Sequence, residues 1–428
     1  MADYEAGARG RARPIRLRRS IVACLAGSVV LRCAESATGV MIGLYLAHIA
    51  TTQYAISATA VGFVAGSAFL TELGGAPIFG ALSDRWGRKL FILLGPLLGA
   101  VAVQMTAMTS ILGLLLVTRL LEGLSTASTT PPTLSYLSAI TSRSQALRGR
   151  VMAGYEVASL GGMALGAVVA GFLWEGLGAA GFMLLTALYL VSLAVFCWGI
   201  QDVRMTFGGA NTASPARPWQ RTVRALVQPR VLRFVPAWLA VNAVVGVWFT
   251  HTAFQMAGAS AFPDQVLAGG RSGSAVGLLF GAFTLTFAVG ALLWGNAFAR
   301  LHKTTIMLAA LGGLLLLGLG GLVANHSGGW PALAAVPVYV VLLGAVLLVS
   351  GFPPAALSYL ADVSEADPAV RGAVMGLYSV LLGAGHLAGG WLGGPFADAA
   401  GVDGLLVLSI GLAVLAAGAV VLLRRDAL

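Results

Sequence analysis

The sequence predicts an all-α membrane protein, with twelve transmembrane helices in two pseudo-symmetric six-helix bundles. Three observations lead there. The 428 residues are 58% hydrophobic and only 10% charged, whereas a soluble domain carries about 25% charged residues. Apolar runs of bilayer-spanning length recur along the whole chain, about 20 residues being needed to cross a core about 30 Å thick. Segments of the first half also return in the second half at a fixed distance.

The spans are expected at 20–49, 57–82, 90–109, 111–140, 149–175, 178–200, 232–258, 273–299, 304–324, 331–361, 371–397 and 402–423. They must be helical, because backbone polar groups cannot stay unpaired in hydrocarbon. The 57 glycines fit this reading, since small residues let membrane helices approach closely. Cys24, Cys33 and Cys197 lie in or beside apolar runs without metal-ligand spacing. They read as small buried hydrophobes.

Charge gives the topology. Of the 26 Lys and Arg, all but Arg32, Arg119 and Arg271 fall on one face. They comprise the N-terminal tail (Arg9 to Arg19), the even-numbered connections and the C-terminal Arg424 and Arg425. Cationic loops mark the cytoplasm, so both termini are expected to be cytoplasmic, in a bacterial inner (plasma) membrane. The net charge of +10 is thereby a topology signal and calls for no nucleic-acid partner.

The domain division follows. Residues 1–19 read as a cytoplasmic tail too Arg-rich for a cleaved signal, and 20–200 as the first bundle. Residues 201–231, with Gly208-Gly209, Pro215, Pro218 and Pro229, read as a cytoplasmic linker. Residues 232–423 form the second bundle and 424–428 a tail. PPTLSYL at 131–137 resembles PPAALSYL at 353–360, and LRGRVMAGY at 147–155 resembles VRGAVMGLY at 370–378. Arg148/Arg371, Tyr155/Tyr378, Gly162/Gly385 and Gly166/Gly389 are each 223 residues apart. Parallel repeats with binding at their interface are a transporter design.

The connection after the second span reads Gly80-Ala81-Leu82-Ser83-Asp84-Arg85-Trp86-Gly87-Arg88-Lys89. Gly80 permits close helix packing, Gly87 a tight turn, and Asp84 suits a helix N-terminus or a neighbouring Arg. This run resembles the signature of the major facilitator superfamily. The resemblance implies that Asp84, with Arg85, Arg88 and Lys89, latches the two halves on the cytoplasmic side when the cavity opens outward. A second copy, Gly295 to Lys303, keeps the glycine and cations and lacks the acid.

Six ionisable residues are expected inside the first bundle: Arg32, Glu35, Glu72, Arg119, Glu122 and Glu156. None is expected in the interior of spans seven to twelve. A charge at bilayer depth costs at least about 2.5–3.5 kcal/mol, so such residues are functional candidates. Arg32/Glu35 and Arg119/Glu122 share the i, i+3 spacing that puts both members on one helix face. The run Arg119 to Ala127 resembles a motif of proton-coupled members, where the arginine is tied to proton transfer. An arginine that moves away in one conformation would let a carboxylate take a proton. Glu35 is the first candidate for the coupling acid and Glu72 the second, with Glu122 more readily structural.

In span five, Gly161-Gly162 to Gly171 resembles an antiporter motif, but Ala167 stands at its proline and Ala170 at one glycine. Packing against span eight would produce the same glycines. In span seven Asn242, Trp248, His251 and Gln255 are candidate substrate contacts, His251 and Gln255 sharing a face. The cavity formed with Arg32 and Glu35 is acidic on one wall and apolar or aromatic on the other. It suits amphipathic organic compounds.

No Gly-x-x-x-x-Gly-Lys-Ser/Thr run is present, and no metal or nucleophile constellation stands out. The resemblance therefore implies a monomeric secondary transporter without cofactor, driven by the proton gradient and exporting drug-like compounds. Lipid or glycolipid export, proton symport of a nutrient or organic anion, and a non-transporting assembly role are the alternatives.

Overall fold

The computed structural model describes residues 17–142, 144–201, 229–295, 297, 300–365 and 371–425. Arg9, Arg11, Arg13, Arg16, Arg143, nearly all of the 201–231 linker, and Asn296, Phe298 and Ala299 of the second signature copy lie outside these residues. So do the side chains of Arg371, Met375 and Tyr378.

Twelve helical rods are seen among the described residues. They are α1 (Leu17–Thr52), α2 (Ala58–Trp86), α3 (Arg88–Ala107), α4 (Leu112–Ile140), α5 (Gln145–Leu177), α6 (Gly181–Gly199), α7 (Pro229–Ala257), α8 (Gly273–Trp294) and α9 (Lys303–Asn325). The tenth, α10, runs from Ala332–Val349 and, past Ser350 and Gly351, through Phe352–Glu365. The segment Arg371–Arg425 is broken by non-helical backbone at Ala400 and Gly401. Its two parts are α11 (371–399) and α12 (402–425). Nine stretches of the described residues, some holding two rods, are long and apolar enough to cross a membrane. Only α4 is not among them: Arg119, Glu122 and the hydroxyl-rich run Ser125 to Thr130 make it too polar.

Large apolar side chains face outward around the molecule, Leu292, Val340 and Leu333 among them. Such a surface is at home in lipid. Association of rods within lipid rests on close packing, and the glycines show where. A Cβ on Gly123 of α4 would lie 2.0 Å from the Ala68 carbonyl oxygen of α2. One on Gly166 of α5 would lie 2.2 Å from the Cys33 carbonyl oxygen of α1, and one on Gly389 of α11 1.9 Å from that of Ala243 in α7. Gly123→Val is therefore expected to remove most of the monodisperse folded peak in size-exclusion chromatography. Gly161→Ala, with nothing within 4 Å of the added carbon, is expected to leave it unchanged. Equal profiles would contradict this packing.

The expected loop between spans two and three is a single residue. Helix α2 continues through Asp84 and Arg85 to Trp86, and α3 starts at Arg88. Gly87, with φ 102°, makes the break between them. The hydrophobic interior has two parts. One lies wholly in α7–α12, around Phe234, Trp238, Met307 and Phe352. The other centres on α1–α6 and takes in Val247, Phe254, Val276 and Leu405.

Candidate functional site

Contacts between the first six rods and the last six favour the end opposite the cationic loops. At that end α1 meets α7 where a Cβ on Gly43 would touch Ala253. Helix α2 meets α11 from Leu73 and Gly383 near mid-membrane to Thr59 and Gly394 at the rim. Helix α5 meets α8 from Ala164 and Gly281 to Gly171 and Gly273. Toward the cationic loops α2 and α11 part: Gly74 has nothing within 4 Å of an added Cβ, and Val380 is exposed. Among the described residues, the space between the halves is thus less closely sealed on the cationic-loop face.

Five of the expected residues meet in one cluster near mid-membrane. Arg32 of α1 pairs with Glu35 at 2.7 Å and donates to Thr130 Oγ1 of α4 at 2.9 Å. Thr126 Oγ1 donates to the other Glu35 oxygen at 3.1 Å. The Tyr155 hydroxyl of α5 lies against the Arg32 guanidinium, and Glu72 of α2 is within electrostatic reach of Arg32 and Glu35. Arg119 pairs with Glu122, and that pair is coupled to Glu35. The i, i+3 spacing gives each pair its shared face. The two pairs differ, however, in setting. The side chains of Arg32 and Glu35 keep 19% and 11% exposure, whereas those of Arg119 and Glu122 keep 8% and 6%. The shared spacing thus does not give a shared setting: Arg119 and Glu122 are packed within the first bundle. Glu156, expected to be buried, is exposed.

Glu72 makes no hydrogen bond and no ion pair among the described residues. Within the cluster two guanidinium groups therefore stand against three carboxylates, the exposed Glu156 being a solvated fourth within reach of Arg32. Full ionisation leaves one negative charge uncompensated in a partly buried site, which is costly. A proton or a cationic ligand removes that cost.

The second half presents a different wall. Among the described residues, it contributes no charged side chain to this cluster. Symmetry shows what replaces it. Gly162 packs on Val29 and Arg32 of α1 as Gly385 packs on Leu239 and Asn242 of α7. Asn242 thus occupies the place equivalent to Arg32, and it is buried with its amide donating to Trp238 O within α7. His251 is fully buried, its Nε2 hydrogen-bonded at 2.8 Å to Gly390 O of α11. Neither Asn242 nor His251 lines the cavity as expected from sequence; close packing of α7 on α11 takes both. Trp248 donates to Ser409 Oγ of α12 at 3.0 Å, and Gln255 is half-buried at the far end of α7.

In the signature, Asp84 is 49% exposed and pairs with Arg88 one turn on at 3.1 Å, and among the described residues that is its one ion pair. Arg85 is exposed, and Lys89 half-buried, beside it. Among the described residues a Cβ on Gly80 would meet only Pro131, at 3.8 Å, and the close packing expected there is not seen among them. The glycines of α5 divide: Gly162 and Gly166 pack on α1, and Gly171 on α8. Thr126, Thr130 and Tyr155 are not site candidates by sequence, since a hydroxyl in a helix has no pattern of its own; Tyr155 stands out there only through the internal repeat and Thr126 only within the Arg119 to Ala127 run.

Known proteins place this architecture. The family model of the Major Facilitator Superfamily matches residues 24–270. A mutant of the nucleoside transporter NupG superposes with a TM-score of 0.74 at 12% identity, covering 95% of this chain and 99% of that one. A bacterial homolog to the human lysosomal transporter Spinster, in an inward-facing and unoccupied conformation, gives 0.69 at 15% identity, covering 98% of both chains. Multidrug resistance protein 1 of Bacillus subtilis is 32% identical over 124 residues, 28% of this chain and 30% of that relative's length. The chain belongs to the major facilitator superfamily and is a multi-pass membrane transporter, not an enzyme.

Proposed function

We propose that the protein exports amphipathic organic compounds of drug-like kind in exchange for protons, by alternating access in a bacterial inner membrane with both termini in the cytoplasm. The observation that carries the reading is the surplus carboxylate in the cluster of Arg32, Glu35, Glu72, Arg119 and Glu122. A proton and a cationic substrate compete for that one negative charge, so release of one favours uptake of the other. Such competition exchanges the two across the membrane without a cofactor. The uncharged wall of α7–α12 suits the apolar part of a substrate. The partial similarity to a multidrug resistance protein supports this direction of transport. Twofold-related halves around one site suit a monomer.

Growth of an efflux-deficient bacterium on a panel of toxic amphiphiles tests the reading. Wild type is expected to protect against cationic members of the panel. Glu35→Gln and Arg119→Ala, at equal membrane abundance, are expected to lose that protection. Protection that survives both substitutions would overturn the role of the cluster.

A further inference from the structure

The seal between the halves carries its own symmetric pair of acids. Helix α2 starts with Ser57 as N-cap, its Oγ accepting from Ala60 N. That leaves the first two amides of α2, Ala58 and Thr59, without a local partner. Asp398, at the end of α11 in the other half, takes both, at 2.6 and 3.0 Å, and also accepts from Thr59 Oγ1 at 2.5 Å. Helix α8 repeats the arrangement. Ser272 is its N-cap and accepts from Ala275 N. Glu175, at the end of α5, accepts from Ser274 N at 3.0 Å and from Ser274 Oγ at 2.8 Å.

The correspondence is residue by residue. Glu175 and Asp398 are 223 residues apart, the spacing of the internal repeat, while Ser57/Ser272 and Thr59/Ser274 are each 215 apart. The glycines below follow the same rule. A Cβ on Gly62 would meet Gly390 O, and one on Gly277 would meet Ala167 O, both at 2.5 Å. A negative group at a helix N-terminus is stabilising, and here each helix takes that group from the opposite half.

We infer that Glu175 and Asp398 are paired gate residues that hold the side opposite the cationic loops shut and set the balance between the two open states of the transport cycle. The inference rests on the alternating-access reading. In the opposite state α2 separates from α11 and α5 from α8, and both helix starts lose their carboxylate.

Spin labels on Gln53→Cys and Leu333→Cys, both exposed at this end, report its opening by electron–electron distance measurement. Cys197→Ser removes the one exposed native thiol, Cys24 and Cys33 being buried. Glu175→Ala and Asp398→Ala are each expected to raise the ratio of long to short distances about fivefold, the usual effect of a lost cap, and the double variant about 25-fold if the two latches add. Glu175→Gln and Asp398→Asn keep an acceptor oxygen and are expected to fall between wild type and alanine. An unchanged distance distribution in the well-folded double variant overturns the inference. A shifted distribution in a protein that moves no amphiphile leaves the gate standing and removes the exporter reading.

Discussion

Arg119→Leu is expected to destabilise the protein by about 3–5 kcal/mol, and the double variant Arg119→Leu/Glu122→Leu to recover most of that loss. The asymmetry follows from burial. Both side chains are nearly sealed from solvent, so deleting the cation strands a carboxylate in a low-dielectric interior. Replacing both with apolar groups of similar volume removes the charge problem and keeps the packing between α2, α3 and α4. Thermal unfolding in detergent checks this: Arg119→Leu should melt well below wild type, and the double variant close to it. A single variant that melts like wild type would mean that Glu122 is already neutral and needs no partner. The double variant separates stability from coupling, because it should fold yet protect no cell from a toxic substrate.

The fold was legible because hydrocarbon leaves few choices. Long apolar runs must be helices, and the rods fall near the expected positions throughout. Their ends were less legible where one residue decides. The sequence around Asp84 reads as a loop because it is charged and contains Gly87, yet helix continues to Trp86 since nothing before the glycine stops it. The candidate site was legible in its charged members, because charge within an apolar run is costly and therefore conspicuous. His251 and Asn242 misled for the opposite reason. Polar residues on a membrane helix serve helix packing as well as cavities, and only the neighbouring helix distinguishes the two. The carboxylates of Glu175 and Asp398 sit at span ends, where acids are ordinary. Their equal repeat spacing was visible in the sequence, but the amides they cap belong to helices more than ninety residues away. Span-by-span reading has no means of joining them.

Glu35→Gln is expected to separate exchange from accumulation. Glu35 is held by Arg32 on one oxygen and Thr126 on the other, and glutamine keeps the shape and one acceptor while removing the titrating group. In proteoliposomes a pH difference of one unit supports about tenfold accumulation of substrate per exchanged proton. Wild type should approach that ratio. Glu35→Gln should accumulate nothing while still exchanging labelled for unlabelled substrate across the membrane, since exchange needs only binding and rocking of the halves. Glu72→Gln gives the contrast. Glu72 has no partner to hold it among the described residues, so if it is the acid that exchanges the proton, its variant loses accumulation and Glu35→Gln retains it. Loss of both accumulation and exchange in Glu35→Gln would instead make Glu35 part of substrate binding itself. The unpaired carboxylate and the paired one thus make opposite demands on the same pair of measurements, and the surplus negative charge is traced to one of them.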